Sequence, residues 1–289
     1  MFVPARLIAA VSFAWAVGIS TAAGLAQAAP TSPAPAASAT PAAVSDPCGS
    51  LMSIVNRPTI GTGVCTVQTG KVDLENGYTS TVVTGPGGSV TGTYPQSLIR
   101  FGTFDPHLDF EFGAPSYNTT NAGGAHTSGW GDISFGAKYE LGYTAKTLYG
   151  INAVVTIPTG KAGFSAGNAQ YTGNFNFGYT LNSEFGLSGT LGFNALSGYA
   201  PNGLPQSYFS FIPSLEGTAA LPGGPSQLFG EYAYFSQAGV GLGSKSVLDF
   251  GYARDFGSHV QFDVEYGFTP TVLNGQKQHY VGAGLSFMN

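Results

Sequence analysis

The sequence predicts an all-β fold: a transmembrane antiparallel up-and-down β-barrel of about 12 strands. Three observations lead there. Residues beyond Lys71 alternate polar and apolar with a period of two. Only 9% of the chain is charged, against roughly 25% in an ordinary soluble domain. The 43 glycines and 13% aromatics argue against helices. A chain of 289 residues has room for one large barrel.

Residues 1–28 read as a secretory signal peptide. Arg6 supplies a positive start, Leu7 to about Ser20 an apolar run, and Ala26-Gln27-Ala28 a small-x-small cleavage site. The rival is a membrane anchor, because "LIAAVSFAWAVGISTAAGLA" is nearly long enough to span a bilayer. Residues 29–47, almost pure Ala, Pro, Ser and Thr, read as a disordered linker that cannot build a core.

Residues 48–66 carry the two cysteines, Cys48 and Cys65. An even count in an exported chain favours one disulfide, closing a periplasmic segment with about 3 kcal/mol of loop-closure stabilisation. A metal or redox pair is the alternative, but the spacing is much wider than CxxC.

Residues 67–289 read as the barrel. In "HVQFDVEYGF", Val260, Phe262, Val264, Tyr266 and Phe268 share one face and Gln261, Asp263, Glu265 and Gly267 the other. "DISFGAKYEL" and "HLDFEF" repeat the pattern. Strands of roughly ten residues, the length a tilted membrane strand needs, are expected from near Lys71, Ser97, Pro106, Trp130, Tyr149, Tyr171, Glu184, Gln206, Ser226, Lys245, Ser258 and Gln278. Connections alternate long and short, with "STVVTGPGGSVTGTYPQ" and "GAPSYNTTNAGGAHTSG" among the long outer loops and "GTFDP" and "LNS" among the short periplasmic turns. An even strand number puts both termini in the periplasm.

A soluble sandwich is the alternative, but its strands would be shorter, and its polar faces would need more lysine than this chain has. No segment after the signal has eighteen consecutive apolar residues, so helical spans are not expected.

"YPQSLIRFG", "GWGDISFGAKYEL", "VVTIPTGKAGFS" and the final "YVGAGLSF" resemble bacterial outer-membrane transporter barrels of the family named putative MetA-pathway of phenol degradation. The stretch holding Cys48, "NRPTI" and Cys65 resembles the leader of such proteins. The resemblance runs from Cys48 onward. It implies passage of small hydrophobic or aromatic compounds across the outer membrane, with no catalytic residues and no cofactor.

The period-two pattern sends Lys71, Asp73, Glu75, Arg100, Asp109, Glu111, Asp132, Lys138, Glu140, Glu184, Glu216, Glu231, Asp249, Asp263 and Glu265 to the lumen. Acids outnumber bases there, so an open lumen favours cations. Twelve strands lie between a filled eight-stranded barrel and an open porin, so the interior can instead be closed by its own side chains. The N-terminal disulfide segment or the stretch after Phe112 could also occlude it.

Enzyme signals are weak. "GVGLGSKSV" lacks the ending of a phosphate loop. His107, His126, His259 and His279 show no metal-ligand spacing. An outer-membrane lipase has no recognisable nucleophile motif here. The expected function is therefore a small-molecule channel, with a non-conducting structural or surface-interaction barrel as its rival.

Expected partners are outer-membrane lipid, barrel-assembly machinery and an unidentified small solute. Without a basic cluster, nucleic acid is not expected. The alternating end of the chain, Val281, Ala283, Leu285 and Phe287, resembles an assembly signal. Met288 and Asn289 lie beyond it, and deleting them is expected to leave assembly intact, whereas a charged residue at Phe287 is expected to impair it.

Overall fold

Alternation fixes the wall. The computed structural model describes residues 46–200, 202–270 and 273–289; the expected signal peptide and nearly all of the expected linker lie outside the described residues. One four-residue helix, α1 (Leu51–Ile54), precedes the strands. The strands are β1 (Val72–Thr84), β2 (Ser89–Tyr94), β3 (Leu98–Gly102), β4 (Leu108–Gly113), β5 (Tyr117–Ala122), β6 (Ala125–Trp130), β7 (Ile133–Tyr143) and β8 (Thr147–Ile157). They continue with β9 (Gln170–Thr180), β10 (Phe185–Tyr199), β11 (Pro205–Ala220), β12 (Ser226–Phe235), β13 (Lys245–Phe256), β14 (Val260–Phe268) and β15 (Lys277–Met288).

These segments form a closed antiparallel barrel of 12 strands. Three barrel strands are each built from two segments: β2 with β3, β4 with β5, and β6 with β7. β1 pairs with β2 along its upper part and with β3 along its lower part, and β4 and β5 likewise pair with β3 and β2. The breaks fall at Pro95 and Pro115, which have no N–H to give the ladder, and beside Gly131. Single backbone bonds carry the wall across them, from Ala114 to Ser97 at 3.0 Å and from Gly131 to Ser116 at 2.8 Å.

β15 returns to β1, with Leu74 opposite Phe287 and Gly77 opposite Gly284. Closure satisfies both edges and leaves no unpaired strand in the seam.

The outward face is apolar. Phe110, Phe135 and Tyr266 are 54%, 49% and 47% exposed, while Asp109, Lys138 and Asp263 beside them on the same strands are fully buried. Exposure of this kind suits lipid, where a charge at the midplane would cost about 2–4 kcal/mol.

The two longest expected loops are wall instead. β1 runs on to Thr84 and turns through residues 85–88 into β2. β5 and β6 join directly through Gly123 and Gly124, both left-handed at φ 56° and 82°, as a two-residue hairpin requires. The Thr, Val and Ser alternation in these stretches outweighed their glycine punctuation. Residues 158–169 do form a long connection. Both oxygens of Asp132 hold it, accepting from the Gly160 and Ala166 N–H groups at 2.8 Å each.

Candidate functional site

The barrel interior is occupied by residues 46–68, the inner segment. Its core forms because Leu51 and Ile54, three apart on α1, bury the same face. Ser50 caps that helix, accepting the Ser53 N–H. Cys48 and Cys65 form the expected disulfide, and they pack with Leu51, Ile54, Val55, Val67 and Met288 of β15.

Wall carboxylates hold this segment by its backbone. Glu75 on β1 accepts from the Asn56 and Arg57 N–H groups, each at 3.1 Å. Glu231 on β12 accepts from Ile60 and Gly61, each at 2.7 Å. Asp109 on β4 accepts from Val67 at 2.9 Å, and Asp255 on β13 from Met52 at 3.1 Å. Thr190 on β10 accepts from Thr62 at 3.0 Å. Contacts on strands all around the circumference place the segment inside the barrel.

Beneath it lies a buried charge cluster. Arg100 lies 2.6 Å from Asp109, 3.6 Å from Glu111, 3.7 Å from Glu75 and 3.8 Å from Asp73. Its other donors reach the carbonyls of Ile54 and Cys65, one on each arm of the disulfide loop. Lys138 approaches Glu111 at 4.0 Å and donates to Asn56 Oδ1 at 2.7 Å. Arg57 extends from the inner segment to Asp263 at 3.4 Å and to Gln96 at 3.1 Å.

The opposite wall is different. Glu216, Glu231 and Asp249 sit side by side across β11, β12 and β13. Their hydrogen bonds come from Ser188, the inner segment and Tyr280. Among the described residues, ion pairs within 4.0 Å involve Arg57, Arg100, Lys138 or His107, so these three acids have no such cationic partner.

Residues 56–62 divide the interior. Toward the end bearing the β1–β2 and β12–β13 connections lies a cavity of about 710 Å³, with Thr79, Gln96, Asn174 and Lys245 on its walls. Toward the end bearing both barrel termini lies one of about 230 Å³, with Leu148, Ser188, Glu216 and Glu231. Arg57, Pro58, Thr59, Gly61 and Thr62 border both cavities, so this loop is the partition between them.

Most of the residues expected in the lumen meet inside the barrel around the inner segment. Three do not. Lys71 is half-buried just before β1, Glu184 is exposed in the turn before β10, and Asp132 anchors the 158–169 connection. Glu140 is buried at the terminal end, 3.5 Å from His107.

The partition itself carries no charge pattern that sequence reading could find. Its one legible signal was the glycine content of the seam. A Cβ at Gly77 or Gly284 would run into the Arg57 guanidinium group, so these paired glycines form the slot in which that side chain lies.

A family model described as "Putative MetA-pathway of phenol degradation" matches residues 55–287. Among solved structures, the COG4313 outer membrane channel from Pseudomonas putida F1 is similar at a TM-score of 0.63 and 12% identity, covering 78% of this chain and 98% of that one. The translocator domain of the autotransporter NalP from Neisseria meningitidis follows at 0.50 and 11%, covering 75% and 88%. The NanC porin has a TM-score of 0.48 at 9% identity, covering 75% and 98%. No curated protein matches the sequence.

Proposed function

This chain belongs to the family described as putative MetA-pathway of phenol degradation, and on that premise we propose that it is an outer-membrane channel for small molecules, gated by its inner segment. The observation that carries the reading is the pair of cavities separated by the thin 56–62 loop. A barrel serving only as a scaffold has no need of two solvent-sized chambers meeting at one strand of backbone. Residues 46–68 enter from the end with the short turns, which in this reading faces the periplasm.

Charge supports a preference for cations. Acids on β1 and β4 lie against Arg100 and Lys138, but Glu216 and Glu231 line the smaller chamber without a cation of their own. Confined carboxylates of this kind attract cations and repel anions.

The rival reading, a non-conducting barrel, draws on the same inner segment, because its many wall bonds keep the partition seated. Planar-bilayer recording of the refolded full chain separates the two. Cation-selective current steps are expected. Silence from protein that shows heat-modifiable folding would establish the structural reading instead.

A further inference from the structure

We propose that the larger chamber is a binding site for uncharged, polyhydroxylated solutes, sugars or sugar alcohols, rather than for aromatic or hydrophobic ones. The inference takes its physiological sense from the channel reading, but binding tests it directly.

The chamber has the size of a small-molecule site, about 710 Å³ within the usual range of about 300–1,000 Å³. Its charges are used up or balanced. Arg57 is committed to Asp263 and Gln96, Glu75 to the inner segment, and Glu111 to Arg100 and Lys138. One cation, Lys245, and one acid, Glu265, remain on the lining.

What remains mixes neutral hydrogen-bonding groups with apolar side chains, among them Leu98, Val154, Ile212 and Val247. Asn152, Thr172, Asn174, Thr190, Asn194 and Ser214 project inward from the four adjacent strands β8 to β11. Some are fixed by their neighbours: Thr172 donates to Asn194 at 2.8 Å, and Asn176 donates to Asn152 Oδ1 at 3.1 Å. Such bonds orient the amides and leave others open. Among the described residues, the Asn152 Nδ2 and Asn174 Oδ1 groups have no hydrogen-bond partner, and neither does Gln96 Nε2 across the chamber.

An apolar ring seated here would strip water from these donors and acceptors without replacing it, at about 1–3 kcal/mol for each group left unpaired. A solute with several hydroxyls answers donors and acceptors on both walls at once. A sugar or sugar alcohol, with hydroxyls for the amides and C–H faces for Val154, Ile212 and Val247, therefore meets both kinds of lining, whereas a plain hydrocarbon meets one.

Calorimetric titration of the full-length protein in detergent, with glucose, sucrose and sorbitol against phenol, toluene and benzylamine, tests the proposal. Saturable sugar or sorbitol binding is expected, weakened at least tenfold in Asn152→Leu/Asn174→Leu. Gln96→Leu, on the other wall, supplies a second variant should the first fail to fold. Absence of saturable sugar binding, tighter binding of the aromatic probes, or sugar binding indifferent to the folded variants would overturn it. Swelling of proteoliposomes in the same solutes separates the two readings. Sugar binding without permeation rejects the channel and keeps the site, and permeation without sugar binding does the reverse.

Discussion

The Glu231 carboxylate reaches from the β12 wall to the Gly61 N–H at 2.7 Å. Its second oxygen takes the Ile60 N–H at the same distance, so one side chain holds the middle of the partition. Hydrogen bonds to a charged acceptor contribute about 1.5–3 kcal/mol each. In Glu231→Gln one amide oxygen is kept, while the new NH₂ group faces a backbone donor. The partition should open about tenfold more often, a shift of about 1.4 kcal/mol. Single-channel recording reads this as longer open time at unchanged step size, and an unaltered open fraction would show that Glu231 does not hold the gate.

Gly284 tests the same gate from the other side. It faces Gly77 across the seam, and Arg57 fills the space where their side chains would be. Gly284→Leu must displace the guanidinium and break its contacts with Asp263 and Gln96. The outward face of β15 is untouched, so heat-modifiable folding should persist while basal conductance rises. Equal conductance in wild type and variant would mean that the slot does not seat the partition.

Arg100 gives the largest expected effect on stability. It is fully buried among Asp73, Glu75, Asp109 and Glu111. Arg100→Met leaves those carboxylates to Lys138 alone, and breaking one side of a buried pair typically costs about 3–5 kcal/mol. It also frees the carbonyls of Ile54 and Cys65. The barrel should unfold at distinctly lower urea concentration on gel-shift assay. Lys138→Met should cost less, because Lys138 is 4.0 Å from its nearest carboxylate. The reverse order would contradict the assignment of Arg100 as the centre of the cluster.

The wall was legible because lipid outside and a polar interior impose opposite demands on successive residues. "HVQFDVEYGF" shows both, with Asp263 fully buried and Tyr266 facing out. Where that demand relaxes, reading failed. Thr-rich β5 and β6 looked like loop because neither face is strongly apolar, and Asp132 looked like a lumen charge although it sits at a break between β6 and β7. The candidate site was half legible. Its buried carboxylates stand out by period, but the groups they bind are backbone N–H groups of residues 52–67, which have no side-chain signature.

Met288, expected to be dispensable for assembly, has a packing role inside the barrel and gives the last test. Phe287 faces out opposite Leu74, but Met288 turns inward and completes the core around Cys48, Ile54 and Val67. Its backbone is bonded on both sides by His259, at 2.9 Å and 2.8 Å, and Asn289 Oδ1 accepts the Val72 N–H at 2.8 Å. Truncating a buried Met costs about 2–5 kcal/mol, and here that cost falls on docking of the inner segment. Met288→Ala should therefore insert at normal yield but expose residues 46–68 to proteinase K. Phe287→Asp should do the opposite. It sits at the end of β15, where a lipid-face charge costs only about 0–1 kcal/mol, so any loss reflects recognition during assembly and not folded stability. Its membrane yield should fall while the protein that does insert stays protected. Identical yield and identical protection in the two variants would refute the division of labour between these neighbouring residues.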